Sequence, residues 1–160
     1  ACNVFQKYGL LKDKFLKIVN SRPLMNGVKE TLIELKKRGY KTALITGSFK
    51  ALAERAQREL CLDYIIAHCE LIFDKDGNIK EWRLIPCDFE GKVDYFNKLA
   101  KQLNLSSSEC AYVGDEVNDI KIFKKVGLSI AFNCWKEEVK KAVHLVIDKK
   151  DLREILKYFP

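Results

Sequence analysis

No run of apolar residues in this 160-residue chain approaches the length of a membrane span; the longest, such as YIIA and LSIAF, suit strands. The start, ACNVFQKYG, has no charged stretch leading into an apolar one, so no secretory signal is visible, and it lacks an initiator Met. Repeats and low-complexity stretches are absent. Six cysteines stand at positions 2, 61, 69, 87, 110 and 134, and no two form C-x-x-C. That irregular spacing excludes a zinc site of familiar pattern and argues against a disulfide framework. His68 beside Cys69 is a poor metal pair, because neighbours on a strand point to opposite faces. Buried free thiols in a reducing cytoplasm are the expectation. The net charge of +7 is spread along the chain, with no basic block interleaved with aromatics. LKDKFLK and ELKKRGYK read as solvated helix faces, and nucleic acid is not the expected partner.

What is present is one domain's worth of alternating helix and strand. Residues 9–20 (GLLKDKFLKIVN) and the segment VKETLIELKKRG have apolar positions at helical spacing, the second stopped by Gly39. KTALITG reads as a buried strand, followed by a helix, SFKALAERAQREL, with Ser48 as its N-cap. DYIIAHCELIF and IKEWRLI flank the turn DKDGN and predict a β-hairpin within 64–86. A helix over about 91–103 follows. SSSE has capping-box spacing and precedes a strand, CAYVG. The remainder reads as helix NDIKIFKKVG, strand LSIAFN, helix KEEVKKAV, strand HLVID and helix DLREILKYF. The fold class this predicts is α/β, a Rossmann-like parallel sheet with helices on both faces and an inserted β-hairpin. Ligands in such folds bind beyond the carboxyl ends of the strands.

Three polar clusters fall at those ends. Thr46, Gly47 and Ser48 close a strand and open a helix, which suits either a phosphate or a simple cap. Lys92 stands in the first turn of a helix, where it opposes the macrodipole, either by function or by chance. Asp115, Glu116, Asn118 and Asp119 follow a buried strand in GDEVND. Such a cluster suits Mg²⁺ with a substrate phosphate, or an acidic helix N-terminus.

In this order the clusters resemble motifs II, III and IV of the haloacid dehalogenase-like phosphohydrolases. Thr46 matches the motif II hydroxyl, Lys92 the motif III lysine, and Asp115 and Asp119 the motif IV acids. GDEVND also resembles the phosphorylation domain of P-type ATPases, which share this core, but the chain has no membrane-length run. PLMNGVKETLIELKKRGYKTALITGSF, KDGNIKEW and GDEVNDIKIFKKVGLSIAFN are similar to the phosphoserine phosphatase-like group, over residues 22 to about 155. The resemblance implies a Mg²⁺-dependent phosphomonoesterase working through an aspartyl-phosphate on a small phosphorylated substrate. It assigns catalysis to Lys92, Thr46 and Asp119, the phosphate to Thr46, Gly47, Ser48, Lys92 and Asn118, and the metal to Asp115 and Asp119.

The family's motif I, D-x-D-x-[TV], supplies the nucleophile and is not found here. The first 40 residues hold one aspartate, Asp13, in a helical context. The expectation is therefore a C-terminal piece of a longer protein, with residues 1–22 from a helical cap and residues 23–160 a core lacking the motif I strand. As an isolated chain it is expected to be inactive. The alternative is a catalytically inactive binding or regulatory domain on the same fold.

Overall fold

The computed structural model describes residues 1–87 and 90–160. The N-terminal helices α1 (Cys2–Lys7) and α2 (Lys12–Ser21) lead to α3 (Val28–Lys37). Next come β1 (Ala43–Phe49), α4 (Lys50–Leu60) and the hairpin strands β2 (Tyr64–Phe73) and β3 (Ile79–Leu84). The chain continues through α5 (Glu90–Gln102), β4 (Ala111–Gly114), α6 (Ile120–Phe123), β5 (Leu128–Phe132), α7 (Glu137–Lys140) and β6 (Leu145–Ile147). A 3-10 stretch over Leu152–Tyr158 ends it. This is the α/β alternation that the sequence predicts.

The strands form two three-stranded sheets, ordered β1-β2-β3 and β4-β5-β6. Every pairing is parallel except the β2–β3 hairpin. The hairpin turn is made by its own residues: the Asp74 carboxylate accepts the backbone N–H groups of Asp76 and Asn78, both at 2.9 Å, and Gly77 takes φ +83°.

β1 and β4 are end strands of their sheets, and they border one groove of about 910 Å³. Leu32 and Leu35 of α3 line it, as do Phe96 and Ala100 of α5. α3 packs against Val113 within the cluster built on Ile130 and Phe132. α5 packs Val93 and Phe96 against Ile45 of β1 and Tyr112 of β4. The helices therefore hold the two sheets in place, with a slot between their edges. A sheet's hydrogen-bonding edge is normally paired or covered, because unpaired N–H and C=O groups otherwise need water.

The first 22 residues pack on the hairpin side. Phe15 of α2 meets Phe49 at 5.4 Å and Phe73 at 5.8 Å between ring centroids. Arg55 of α4, only 9% exposed, donates to the carbonyls of Val19 and Arg22, both at 2.7 Å. It thereby satisfies acceptors that the end of α2 would leave orphaned.

Several boundaries differ from expectation. Ser48 is not a helix N-cap: β1 runs on to Phe49, which caps α4 without a side-chain hydrogen bond. The reason is a bulge. Thr46 pairs with Ala67 and Phe49 with Cys69, so Gly47 and Ser48 sit where the partner strand supplies one residue. The Ser48 N–H turns to Thr46 Oγ1 at 3.2 Å instead. The helix expected over NDIKIFKKVG is reduced to a 3-10 turn, Val117–Asp119, and the four residues of α6. The terminal helix expected over DLREILKYF is 3-10 instead.

Candidate active site

The acidic loop after β4 is organised by one carboxylate. Asp119 Oδ1 accepts from Lys92 Nζ at 2.8 Å and from the Tyr112 hydroxyl at 2.9 Å. Its Oδ2 accepts the backbone N–H groups of Asp115 and Glu116, both at 3.1 Å. Gly114 makes room for this: a Cβ there would stand 2.7 Å from Asp119 Cγ. The Lys92 and Asp119 side chains are 8% and 4% exposed, so this is a buried ion pair whose partners depend on each other. Lys92 also reaches Asn118 Oδ1 at 3.4 Å. Burial, and then the charge and hydrogen bond of Asp119, push the Tyr112 phenol far up. Tyr112 therefore stays a donor.

The three acids of the loop differ in their counter-charges. Lys92 neutralises Asp119. Lys136 Nζ contacts both oxygens of Glu116 at 2.6 Å, and that hydrogen bond holds the Glu116 carboxyl below its usual range. Asp115 has no such partner: among the described residues its carboxylate accepts no hydrogen bond. Asp115 is exposed at the rim, yet it also lines the groove. Burial on that inner side, then the Asp119 and Glu116 carboxylates, raise its carboxyl above the ordinary value. Its carbonyl oxygen is fixed from below by the Cys134 thiol at 3.1 Å.

The other cluster, Thr46–Gly47–Ser48, occupies the bulge at the carboxyl end of β1. No hydrogen bond or ion pair among the described residues joins it to Lys92, Asn118 or Asp119. The fully buried Cys87 thiol donates to the Thr46 carbonyl at 3.3 Å. Thus Lys92, Asn118, Asp119 and the Asp115 backbone form one bonded unit, and Thr46–Ser48 stands at the end of the strand across the slot.

A divalent cation can be tested against these groups. Among the described residues no set of three or more His, Cys, Asp or Glu side chains could hold a metal. Both Asp119 oxygens are filled by four donors. The Asp115 carboxylate is the open oxygen donor, a fit for one ligand of a hard cation that keeps several waters.

Sequence reasoning missed Tyr112, Cys87, Cys134 and Lys136. Tyr112 left a signal. It alternates with Val113 in AYVG, and a buried phenol needs a hydrogen-bond partner. The other three are brought in by the fold alone.

A strand-end site of this kind, with a lysine anchored on an acidic loop, defines a class. The chain belongs to the haloacid dehalogenase-like hydrolases, whose family model matches residues 5–127. It is 37% identical over 164 residues to a phosphoserine phosphatase of Methanocaldococcus jannaschii, covering 96% of this chain and 74% of that one. To the phosphoserine phosphatase of Lactococcus lactis subsp. lactis it is 32% identical over 135 residues, and it spans only 62% of that relative's length. A solved phospho-aspartyl intermediate analogue of phosphoserine phosphatase superposes with a TM-score of 0.86 at 34% identity, covering 95% of this chain and 72% of the other.

Proposed function

We propose that this chain is the larger part of a Mg²⁺-dependent phosphomonoesterase of the phosphoserine phosphatase-like group. Its substrate is a small phosphorylated molecule, with phosphoserine the first candidate by likeness to the relatives. The observation that carries this reading is the carboxylate of Asp115, which among the described residues takes no hydrogen bond or ion pair, at the groove bordered by the end strands β1 and β4. A parallel strand in the slot completes the sheet and brings the nucleophilic aspartate to its carboxyl end, opposite Asp115.

Within that arrangement Asp115 would hold a magnesium ion, which would supply neutralising charge for the phosphoryl group. Lys92 and the Thr46 hydroxyl bind phosphoryl oxygens and stabilise charge as it redistributes. The bulged Gly47–Ser48 segment borders that phosphate just ahead of α4, with the Ser48 N–H given to Thr46 Oγ1. Asn118 steadies the lysine or the substrate. Asp119 holds Lys92 in position and fixes the backbone that presents Asp115. Attack by the strand's first aspartate on phosphorus forms an aspartyl-phosphate and breaks the ester P–O bond. The alcohol leaves with a proton from the second aspartate of D-x-D, which then takes a proton from the water that cleaves the aspartyl-phosphate, releasing phosphate and restoring the nucleophile.

The test is a phosphomonoester screen with Mg²⁺, on the chain alone and on the chain extended by a strand carrying D-x-D-x-T. Phosphate release is expected from the extended form only. Asp115→Asn should lower that rate at least ~100-fold, the scale of a lost charge-stabilising group. Full Mg²⁺-dependent activity in Asp115→Asn would remove the role given to Asp115. Binding of phosphorylated ligands without turnover, even with the strand supplied, would favour a non-catalytic domain.

A further inference from the structure

Two cysteines 67 positions apart meet where α1 crosses the sheet: Cys2 Sγ lies 3.3 Å from Cys69 Sγ. Cys69 is on β2, where it pairs with Phe49 of β1 and Leu84 of β3. α1 itself buries no residue. Besides the thiol contact, its anchors are a hydrogen bond from Gln6 Nε2 to the Ile79 carbonyl at 3.0 Å and the Phe5 ring 5.9 Å from Phe49. A disulfide needs its sulfurs at about 2.05 Å, so the pair must close by little more than 1 Å. That movement falls on a six-residue helix that buries none of its side chains.

We propose that Cys2 and Cys69 form a reversible disulfide that locks α1 onto the sheet, beside the Thr46–Phe49 end of β1. Chemistry enters through Cys2, which is half-buried, whereas Cys69 is 5% exposed. Burial and the neighbouring Cys2 push the Cys69 thiol up to about 12, so it rests as a thiol. The Cys2 thiolate attacks a low-molecular-weight disulfide, forming a mixed disulfide and releasing one thiolate, which takes up the proton Cys2 gave. Cys69 then loses its proton and attacks the Cys2 sulfur. The Cys2–Cys69 bond forms and the second thiolate leaves with that proton. Two protein thiols are oxidised, and one external disulfide is reduced to two thiols. Surplus thiol reverses both steps.

The locked form restrains a part of the chain that packing alone holds loosely. The crosslink also closes a long loop in the unfolded chain, where such bonds have their largest effect. The chain, fully reduced and then treated with oxidised glutathione under native conditions, is examined by peptide mapping, thiol titration, amide exchange and melting. The expected result is a linked Cys2–Cys69 peptide and loss of two of the six titratable thiols. Slower exchange across Cys2–Lys7 and a Tm increase of about 10 °C should accompany it, all reversed by dithiothreitol. Cys2→Ser should abolish every change, and Cys61→Ser, at an exposed site, should abolish none. Retention of six thiols, or linkage through other cysteines, overturns the proposal. So does a Tm rise that persists in Cys2→Ser. A Cys2–Cys69 link with unchanged exchange in α1 overturns the locking.

Discussion

β1 and β5 are written in a similar apolar idiom, ALIT and SIAF, yet they end in different surroundings. Ser129, Ile130, Ala131 and Phe132 of β5 are all at most 5% exposed, whereas no residue of β1 is buried to that degree. β5 is the middle strand of its sheet, paired on both edges and covered by α3 and the C-terminal stretch. β1 pairs on one edge and faces the slot on the other. Apolar sequence thus sets what a strand is able to bury. Its neighbours decide whether it does.

The junction between the halves should show the largest effect. Lys92→Met removes the cation from a buried pair and should cost about 3–5 kcal/mol, read as a lower urea midpoint with an unchanged slope. A loss under 1 kcal/mol would mean that Tyr112 and the two backbone donors suffice for Asp119. Next comes the contrast itself. Ile130→Ala should cost about 3–4 kcal/mol, and Leu44→Ala, on half-buried β1, nearer 1–2 kcal/mol. Equal losses would show that the slot does not leave β1 underpacked. Extending the chain with the completing strand should then raise the cost at Leu44 towards that at Ile130.

The smallest effect sits at the base of β1. Asp63 accepts the Thr42 N–H at 2.9 Å and the Thr42 hydroxyl at 3.0 Å. The backbone hydrogen bond, more than the nearby Lys41, lowers its carboxyl below the ordinary aspartate value. A lowered folded value stabilises above the unfolded value, and the gain is lost as pH falls through the folded one. Asp63→Ala should therefore cost about 1–2 kcal/mol at neutral pH and almost nothing in strong acid. A difference from wild type that stays constant from pH 7 to the acid limit would assign the effect to packing.

Much of the fold was legible because periodicity and turn chemistry are local. VKETLIELKK, the DKDGN turn and the strand LSIAF all stand within a few residues of where their pattern puts them. The bulge at Gly47–Ser48 was not, since it depends on register against Ala67 and Cys69, more than a dozen residues away. The same holds for the ends of the late helices, which tertiary packing shortens to 3-10 turns. At the site, the nearness of Lys92 and the acidic loop was readable from the resemblance. Which acid is paired with which cation was not, because Lys136 and Tyr112 reach the loop only through the folded chain. The meeting of Cys2 and Cys69 left no trace in their spacing.

One consequence follows from the four donors gathered on Asp119. Lys92, Tyr112 and the backbone of residues 115–116 share a single acceptor group, so their substitutions are thermodynamically coupled. Lys92→Met together with Tyr112→Phe should differ from the sum of the two singles by more than distant pairs do. A genetic scan of this loop would thus report one unit several times over. Suppressors of a damaged Lys92 would be expected at Asp119, where removing the stranded charge relieves the fault without restoring the lysine.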